Sequence, residues 1–455
     1  MRSDVAVVGA GFSANAMAIH LLETLPPDKT LAVVGRSDGF GRGVAYSTRN
    51  DQHRLNVPAG RMSLWQDRPD DLVDWLNGVG TSFGPDDFIP RAMFGDYVRD
   101  RLQEGLTRNG NRARVEFVDT VAEAYEPSGD GSHLFKLANG GVLESRRSVL
   151  CLGATAAGLP LPAGRIDVDD RSIIANPWAS DWTSGIGRAD HIVFVGSGLT
   201  MIDQLMSLTD SGHAGPVTVV SRHGLLPQAH LVPASRPDAA ALSAAEDVPL
   251  SDMMRALRIA ARSSPDWRSA VDGLRPVTQR LWQSMSDDKR RRFLRHAAPW
   301  WNIHRHRMAP EIAAFVREQA ASGRLRIRAG WLEGLVEEDG QAGVVIRPRH
   351  ARSGDALQTL LADRVVNCTG LERCAIGRVP ILRNMMAKGL VRSDRLGLGV
   401  DVDESSQIVD HKGRAQDGLF AVGPMTLGQF WEIFAVPDIR KQVAGIAHQI
   451  GAELE

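Results

Sequence analysis

Two stretches of this sequence share one grammar. "VAVVGAGFSANAMAIHLL" occupies residues 5–22 and "HIVFVGSGLTMIDQLMSL" residues 191–208, each an apolar run, a Gly-x-Gly turn and an amphipathic run. The chemistry of such turns comes from what glycine lacks. Without a Cβ at Gly9, Gly11, Gly196 and Gly198, the backbone can turn sharply and approach a pyrophosphate resting on the N-terminus of the helix that follows. The third small position is Ala14 in the first copy and Met201 in the second. One such turn is weak evidence; two in one chain point to two dinucleotides held so that electrons pass between them.

Each turn needs a second strand about twenty residues on, and residues 31–34 and 217–220 supply it. A carboxylate normally receives the ribose hydroxyls at the end of that strand. Here the first copy has Arg36 and the second has Arg222. Arg36 leaves two readings, a ribose held differently or a cation directed at a diphosphate or 2′-phosphate. Arg222 reads as a partner for the 2′-phosphate of NADPH, which favours NADPH over NADH.

Further elements must position these turns. "RRSVLCLGAT", ending at Thr155, and "ADRVVNCTG", ending at Gly370, are apolar strands that close on glycine and bracket the second turn. Two-dinucleotide flavoproteins pass between their domains at such strands. The expected fold class is therefore α/β, with two Rossmann-like dinucleotide-binding domains. The first is an FAD domain formed by residues 1–157 and 363–455. Inserted within it is a nicotinamide domain, residues 158–362, with a helical insertion at about 235–323. Near the end, "GLFAVG" puts a buried strand before Gly423, whose neighbouring amides would face the flavin and ribityl chain; Pro424 stands where many such enzymes have Asp.

Bulk properties narrow the function classes. The 455 residues carry 53 Lys+Arg against 54 Asp+Glu, so no large field is available to recruit nucleic acid or an anionic membrane. The longest apolar runs are strand-length, well short of the roughly 20 residues of a membrane span. The early first strand leaves no room for a leader, so a cytoplasmic location is expected. The three cysteines, Cys151, Cys368 and Cys374, include no Cys-x-x-Cys pair and no metal-ligand rhythm. Electron relay through a dithiol is thereby disfavoured, and oxygen becomes the natural acceptor.

Seven blocks, "GRGVAYS" (residues 41–47), "HRLNVPAGRMS" (53–63), "PRAMFGDYV" (90–98), "VGSGLTMID" (195–203), "SRHGLLPQAH" (221–230), "WWNIHRHRMAP" (300–310) and "FWEIFAVPDIR" (430–440), together resemble the bacterial FAD/NAD(P)-binding family. The resemblance covers nearly the whole length and implies FAD with NADPH or NADH as cofactors. Its named activity is FAD-dependent hydroxylation of urate to 5-hydroxyisourate through a flavin C4a-hydroperoxide.

Beside a flavin these blocks make chemical sense. Arg42 is fit to cross the pyrophosphate, Tyr46 and Asn56 to line the cofactor site, and Arg61 to meet substrate. Trp300 and Trp301 adjoin a run of histidines and arginines, so Trp301, Arg305 and Arg307 read as a clamp for a flat anion by stacking and charge-assisted hydrogen bonds. A phosphate clamp for the nicotinamide nucleotide is the alternative. His53, His304 and His306 are candidate bases by titration range alone; no metal site is expected. Two other functions remain open, an N-hydroxylase of an amine or amino acid and a non-enzymatic flavin-bound redox sensor or scaffold. The expected partners are a small molecule and molecular oxygen.

Overall fold

The computed structural model describes residues 1–455 apart from 37–39, 41, 154–156, 180, 233–236, 239–247, 353–354 and 371–374. Gly41, Thr155 and Cys374 lie outside the described residues.

Val5, Ala6, Val7 and Val8 are at most 2% exposed, as a strand covered on both faces requires. That strand, Arg2–Val8, is the centre of a parallel sheet in the order Val115–Asp119, Leu31–Gly35, Arg2–Val8, Val142–Leu150, Ala415–Ala421, with Gln407–Val409 antiparallel at the edge. Ala122–Pro127 and His133–Leu137 extend it as antiparallel strands beside Val142–Leu150. Helix Phe12–Thr24 packs on the C-terminal helix Val436–Leu454. The Thr24 hydroxyl donates to the Ala447 carbonyl (3.1 Å), and a Cβ on Gly451 would sit 2.7 Å from the Thr24 carbonyl oxygen, so bare backbone is needed at the crossing.

The second sheet repeats the order. Leu325–Glu338, Val217–Ser221, Ile192–Val195, Arg364–Asn367 and Ile173–Ile174 run parallel, and Gln341–Pro348 and Gln358–Ala362 extend the first of them antiparallel. Both sheets thus have a central strand from which the chain departs to one side and to which it returns on the other. That is the switch point where open α/β sheets bind ligands beyond the carboxyl ends of their strands.

Two of the sequence expectations move. The sequence places residues 363–455 in the closing part of the first domain, yet strand Arg364–Asn367 pairs with Ile192–Val195, so the second sheet extends past residue 363. The helices between residues 250 and 305 were read as part of the nicotinamide domain, but their apolar side chains join the core of the first. Trp282 stacks on Trp431 with centroids 4.5 Å apart and donates its indole N–H to the Gly428 carbonyl at 2.8 Å. Amphipathic helices show which face must be covered, not which domain covers it. Among the described residues, no helix is long and apolar enough to cross a membrane.

The two domains are joined by buried polar contacts. Arg91, at the start of helix Arg91–Thr107, pairs with Asp203 of helix Leu199–Asp210 at 2.9 Å. Burial pushes the Asp203 carboxyl up and the guanidinium opposes it. His53 sits alongside, with Nδ1 2.7 Å from the Thr48 hydroxyl and Nε2 2.9 Å from both the Asp203 carbonyl and the Ser207 hydroxyl. Removing one member of a buried pair leaves the other uncompensated, at a cost of about 3 kcal/mol. Asp203→Ala is therefore expected to lower the free energy of unfolding by that amount, measured by denaturant titration, while Asp210→Ala at the exposed Asn50 contact changes it little.

Candidate functional site

The first glycine turn is built by backbone meeting backbone. Gly9 has φ +139° and donates its N–H to the Val34 carbonyl at 2.7 Å; a Cβ there would collide with the carbonyl of Cys151. Cys151 in turn donates to the Val8 carbonyl at 2.8 Å. Gly11 is the N-cap of helix Phe12–Thr24, with no side-chain cap and no acidic residue in its first turn, so the end N–H groups face outward with the positive end of the helix dipole. The Asn15 amide donates to the carbonyls of Ala10 (2.7 Å) and Gly11 (2.8 Å), and Ala14 is fully buried.

Two other segments close on this turn. Gly43, at φ +61°, lies over it, where a Cβ would be 2.8 Å from Gly11 Cα; Gly423, at φ +81°, would bring a Cβ 2.8 Å from the Ser13 hydroxyl. The cradle is thus one that side chains would fill. Arg42 pairs with Asp96 at 2.5 Å, and its buried Nε has no partner among the described residues, a donor that an anion crossing the turn would satisfy. Tyr46 packs against Phe94 and Phe12, with centroids 4.7 and 5.8 Å away, and burial pushes its phenol up to about 12. Arg36 stands exposed just after strand Leu31–Gly35, and Asn56 is half-buried, with its carbonyl 3.0 Å from His230 Nε2. These features fit a dinucleotide.

The second turn reproduces the first. Gly196, at φ +108°, donates to the Val220 carbonyl at 2.8 Å, and a Cβ there would collide with the carbonyl of Cys368. Cys368 donates to the Val195 carbonyl at 2.8 Å, and Gly198 caps helix Leu199–Asp210 without side-chain help. The two cysteines are therefore equivalent positions, small enough to lie under each turn; both are buried, and burial pushes both thiols up. Gly153 and Gly370, beyond them, both have positive φ. Arg222 is exposed at the end of strand Val217–Ser221, and Arg349 from the neighbouring strand's hairpin donates to its carbonyl at 3.2 Å. A second guanidinium thus reaches the backbone of the residue where one cation was expected.

The proposed anion clamp fares differently. Arg305 pairs with Glu432 at 2.9 Å, both side chains at most 8% exposed, and the Trp301 indole N–H donates to the other Glu432 oxygen at 2.6 Å. Burial pushes the Glu432 carboxyl up, but Arg305 and His306 outweigh it and hold it below its usual range. Arg307 pairs with Asp272. Neither guanidinium faces an open site, so both serve the packing of the helices. Arg61 is half-buried and forms no ion pair among the described residues.

The candidate bases divide similarly. His53 is locked in the interdomain contacts, and burial pushes it below its usual value. Burial brings His306 to about 4, neutral at pH 7. His304 is half-buried, its Nδ1 2.8 Å from the Trp300 carbonyl and its ring edge-on to Trp267 at 4.9 Å.

Residues 6–155 match the family model described as FAD-NAD(P)-binding. Uncharacterized proteins of Mycobacterium bovis and Mycobacterium tuberculosis are 21% identical over 99% of this chain and 96% of theirs. Among solved structures, an ornithine N-hydroxylase of Kutzneria, solved with reduced FAD, NADP+ and L-ornithine, matches over 100% of both chains at 15% identity and TM-score 0.68. L-lysine 6-monooxygenase of Pseudomonas syringae does so at 15% identity and 0.67, and thioredoxin reductase of Lactococcus lactis, over 99% of this chain and 100% of that one, at 12% and 0.53. The chain has the fold of two-dinucleotide-domain flavoproteins.

Sequence reasoning missed Arg349, Glu432, Asp203 and Arg91. Glu432 carried one signal, a carboxylate between Trp431 and Ile433 inside an apolar run.

The matched turns make a paired test. Gly9→Ala is expected to yield protein that does not retain flavin through gel filtration. Gly196→Ala is expected to retain it and to lose at least tenfold in the rate of flavin reduction by NADPH, read by stopped-flow absorbance.

Proposed function

We propose that this chain is an FAD-dependent, NADPH-consuming monooxygenase that N-hydroxylates a small amine or amino acid. The carrying observation is the duplicated turn, Gly9 against Cys151 and Gly196 against Cys368, within a full-length fold shared with ornithine and lysine hydroxylases. FAD belongs on the first turn and NADPH on the second. Bound flavin supplies the route by which a hydride equivalent from NADPH reaches dioxygen. The chain's part is to bind and orient. The open amides of Phe12–Thr24 and the unpartnered Arg42 Nε hold the first pyrophosphate; those of Leu199–Asp210 hold the second, with Arg222 and Arg349 on the 2′-phosphate. The Arg91–Asp203 pair and His53 fix one nucleotide site against the other.

Two observations narrow the alternatives. No two cysteines are spaced as a Cys-x-x-Cys pair, which disfavours the dithiol relay that a reductase of this fold would use. Urate hydroxylation, the activity that the family resemblance implied, loses the clamp read for a flat anion, since Arg305 and Arg307 already hold Glu432 and Asp272.

The reading is tested by NADPH oxidation under air with ornithine, lysine, simple alkylamines and urate in turn, measuring hydroxylamine and peroxide. One of the amines is expected to give hydroxylamine in step with NADPH consumed. Urate consumption with no hydroxylamine from any amine would overturn it. Arg222→Ala is expected to raise the KM for NADPH about tenfold, the loss of one charge-assisted bond, and to leave the KM for NADH unchanged in the same steady-state assay.

A further inference from the structure

The helices between residues 250 and 305 enclose a cleft of about 890 Å³, a volume typical of small-molecule sites. Its floor is apolar, formed by Leu250, Met254, Leu257, Val271 and Trp301, with Trp267 and Trp300 at the side. The formal charges of its lining, Arg255, Arg258 and Arg292, are of one sign. Arg255, Arg258, Arg292, His296 and His304 face it, and among the described lining residues there is no carboxylate. Arg255 has a neighbour in Asp252 at 3.3 Å, whereas Arg258 and Arg292 have no carboxylate within ion-pair distance among the described residues. An ammonium ligand would find no carboxylate among the described lining residues to pair with.

A second cavity, about 60 Å³ and almost wholly apolar, adjoins the first. The two share Leu250, Met254, Leu257 and Trp301, and the smaller, inner one is lined further by Met253, Leu281, Trp282, Phe293 and Trp431. The polarity is therefore ordered, with guanidinium groups at the mouth and aliphatic, thioether and indole surface within. Thioether side chains re-pack readily around an apolar guest.

The wall between mouth and interior has unusual backbone. Helix Asp287–Arg292 passes into helix Ala298–Arg305 through a five-residue π turn, Phe293–Ala297. Such turns are rare and concentrate at functional sites. This one carries residues of both cavities: Phe293 faces the inner one, and His296 and Ala297, next to Arg292, face the outer. A regular helix would shift these side chains around the axis.

We propose that this cleft is a binding site for a carboxylate with an apolar body, its head on Arg258 and Arg292 and its tail directed toward Trp282 and Trp431. Guanidinium groups pair with carboxylate in two parallel bonds, and the one-signed mouth selects the head as the apolar interior selects the tail. The site is independent of the monooxygenase reading, because binding alone reports it.

The test is calorimetric titration of the flavin-loaded full chain with octanoate, octanol, octylamine and inorganic phosphate. Octanoate is expected to bind saturably, at least tenfold tighter than each of the others. Arg258→Ala with Arg292→Ala, both at exposed positions, is expected to weaken octanoate at least tenfold while the flavin spectrum and far-UV dichroism stay unchanged. Met254→Trp, which adds bulk on the wall that both cavities share, is expected to weaken octanoate without altering phosphate binding. Octanol binding as well as octanoate would reduce the cleft to an apolar pocket, phosphate binding as well would reduce it to a plain anion site, and failure of octanoate to bind would remove it. Each of those outcomes overturns the proposal.

Discussion

The architecture depends on a backbone contact that tolerates no side chain. At the end of each central strand, a glycine with positive φ lies against the carbonyl of the cysteine that follows the neighbouring strand, Gly9 on Cys151 and Gly196 on Cys368. This contact fixes where each helix begins, and so where its open amides point. Because the cysteine's own N–H is bonded to the central strand, the turn cannot relax by sliding along the sheet. A small residue beneath the turn completes the requirement, which explains two buried cysteines that do no redox chemistry in the proposed reaction.

Around the two turns, buried charge organises what apolar packing alone would leave undefined. Glu432 accepts from the Trp301 indole and from Arg305, drawing the helical segment onto the loop that follows Gly423. Its own backbone is left-handed at φ +67°, a conformation that costs a non-glycine residue about 1–2 kcal/mol. Two strong, desolvated hydrogen bonds hold it there. Arg91 and Asp203 act similarly between the domains, and His53 adds direction, since its two ring nitrogens bind groups from different domains.

The sequence made the turns legible because their requirements are local: glycines at fixed spacing, an apolar run before them and a helical run after. It also located the apolar stretches that contain Cys151 and Cys368, and through them the doubled topology. It misassigned charges whose partners are distant in the chain. Arg305 and Glu432 are 127 residues apart, as are Arg222 and Arg349, and nothing in the run "WWNIHRHR" distinguishes an arginine that faces a cavity from one that faces a buried carboxylate. The cations that do face the cleft, Arg258 and Arg292, lie in unremarkable amphipathic stretches. Domain membership of the helices was hidden for the same reason, because the aromatic partner of Trp282 is Trp431.

The shared core of helices and first domain bears on how this chain can be divided. Although the second sheet is inserted in the first domain like a cassette, the helices reached through it bury their apolar faces on residues from both ends of the chain. Excised alone, the cassette would carry uncovered tryptophans and methionines, and the remaining domain would lose the lid over Trp431. The insertion is thus not a portable unit. Exchanging nicotinamide domains between relatives would require the helices to stay behind, with the crossover points placed on either side of them.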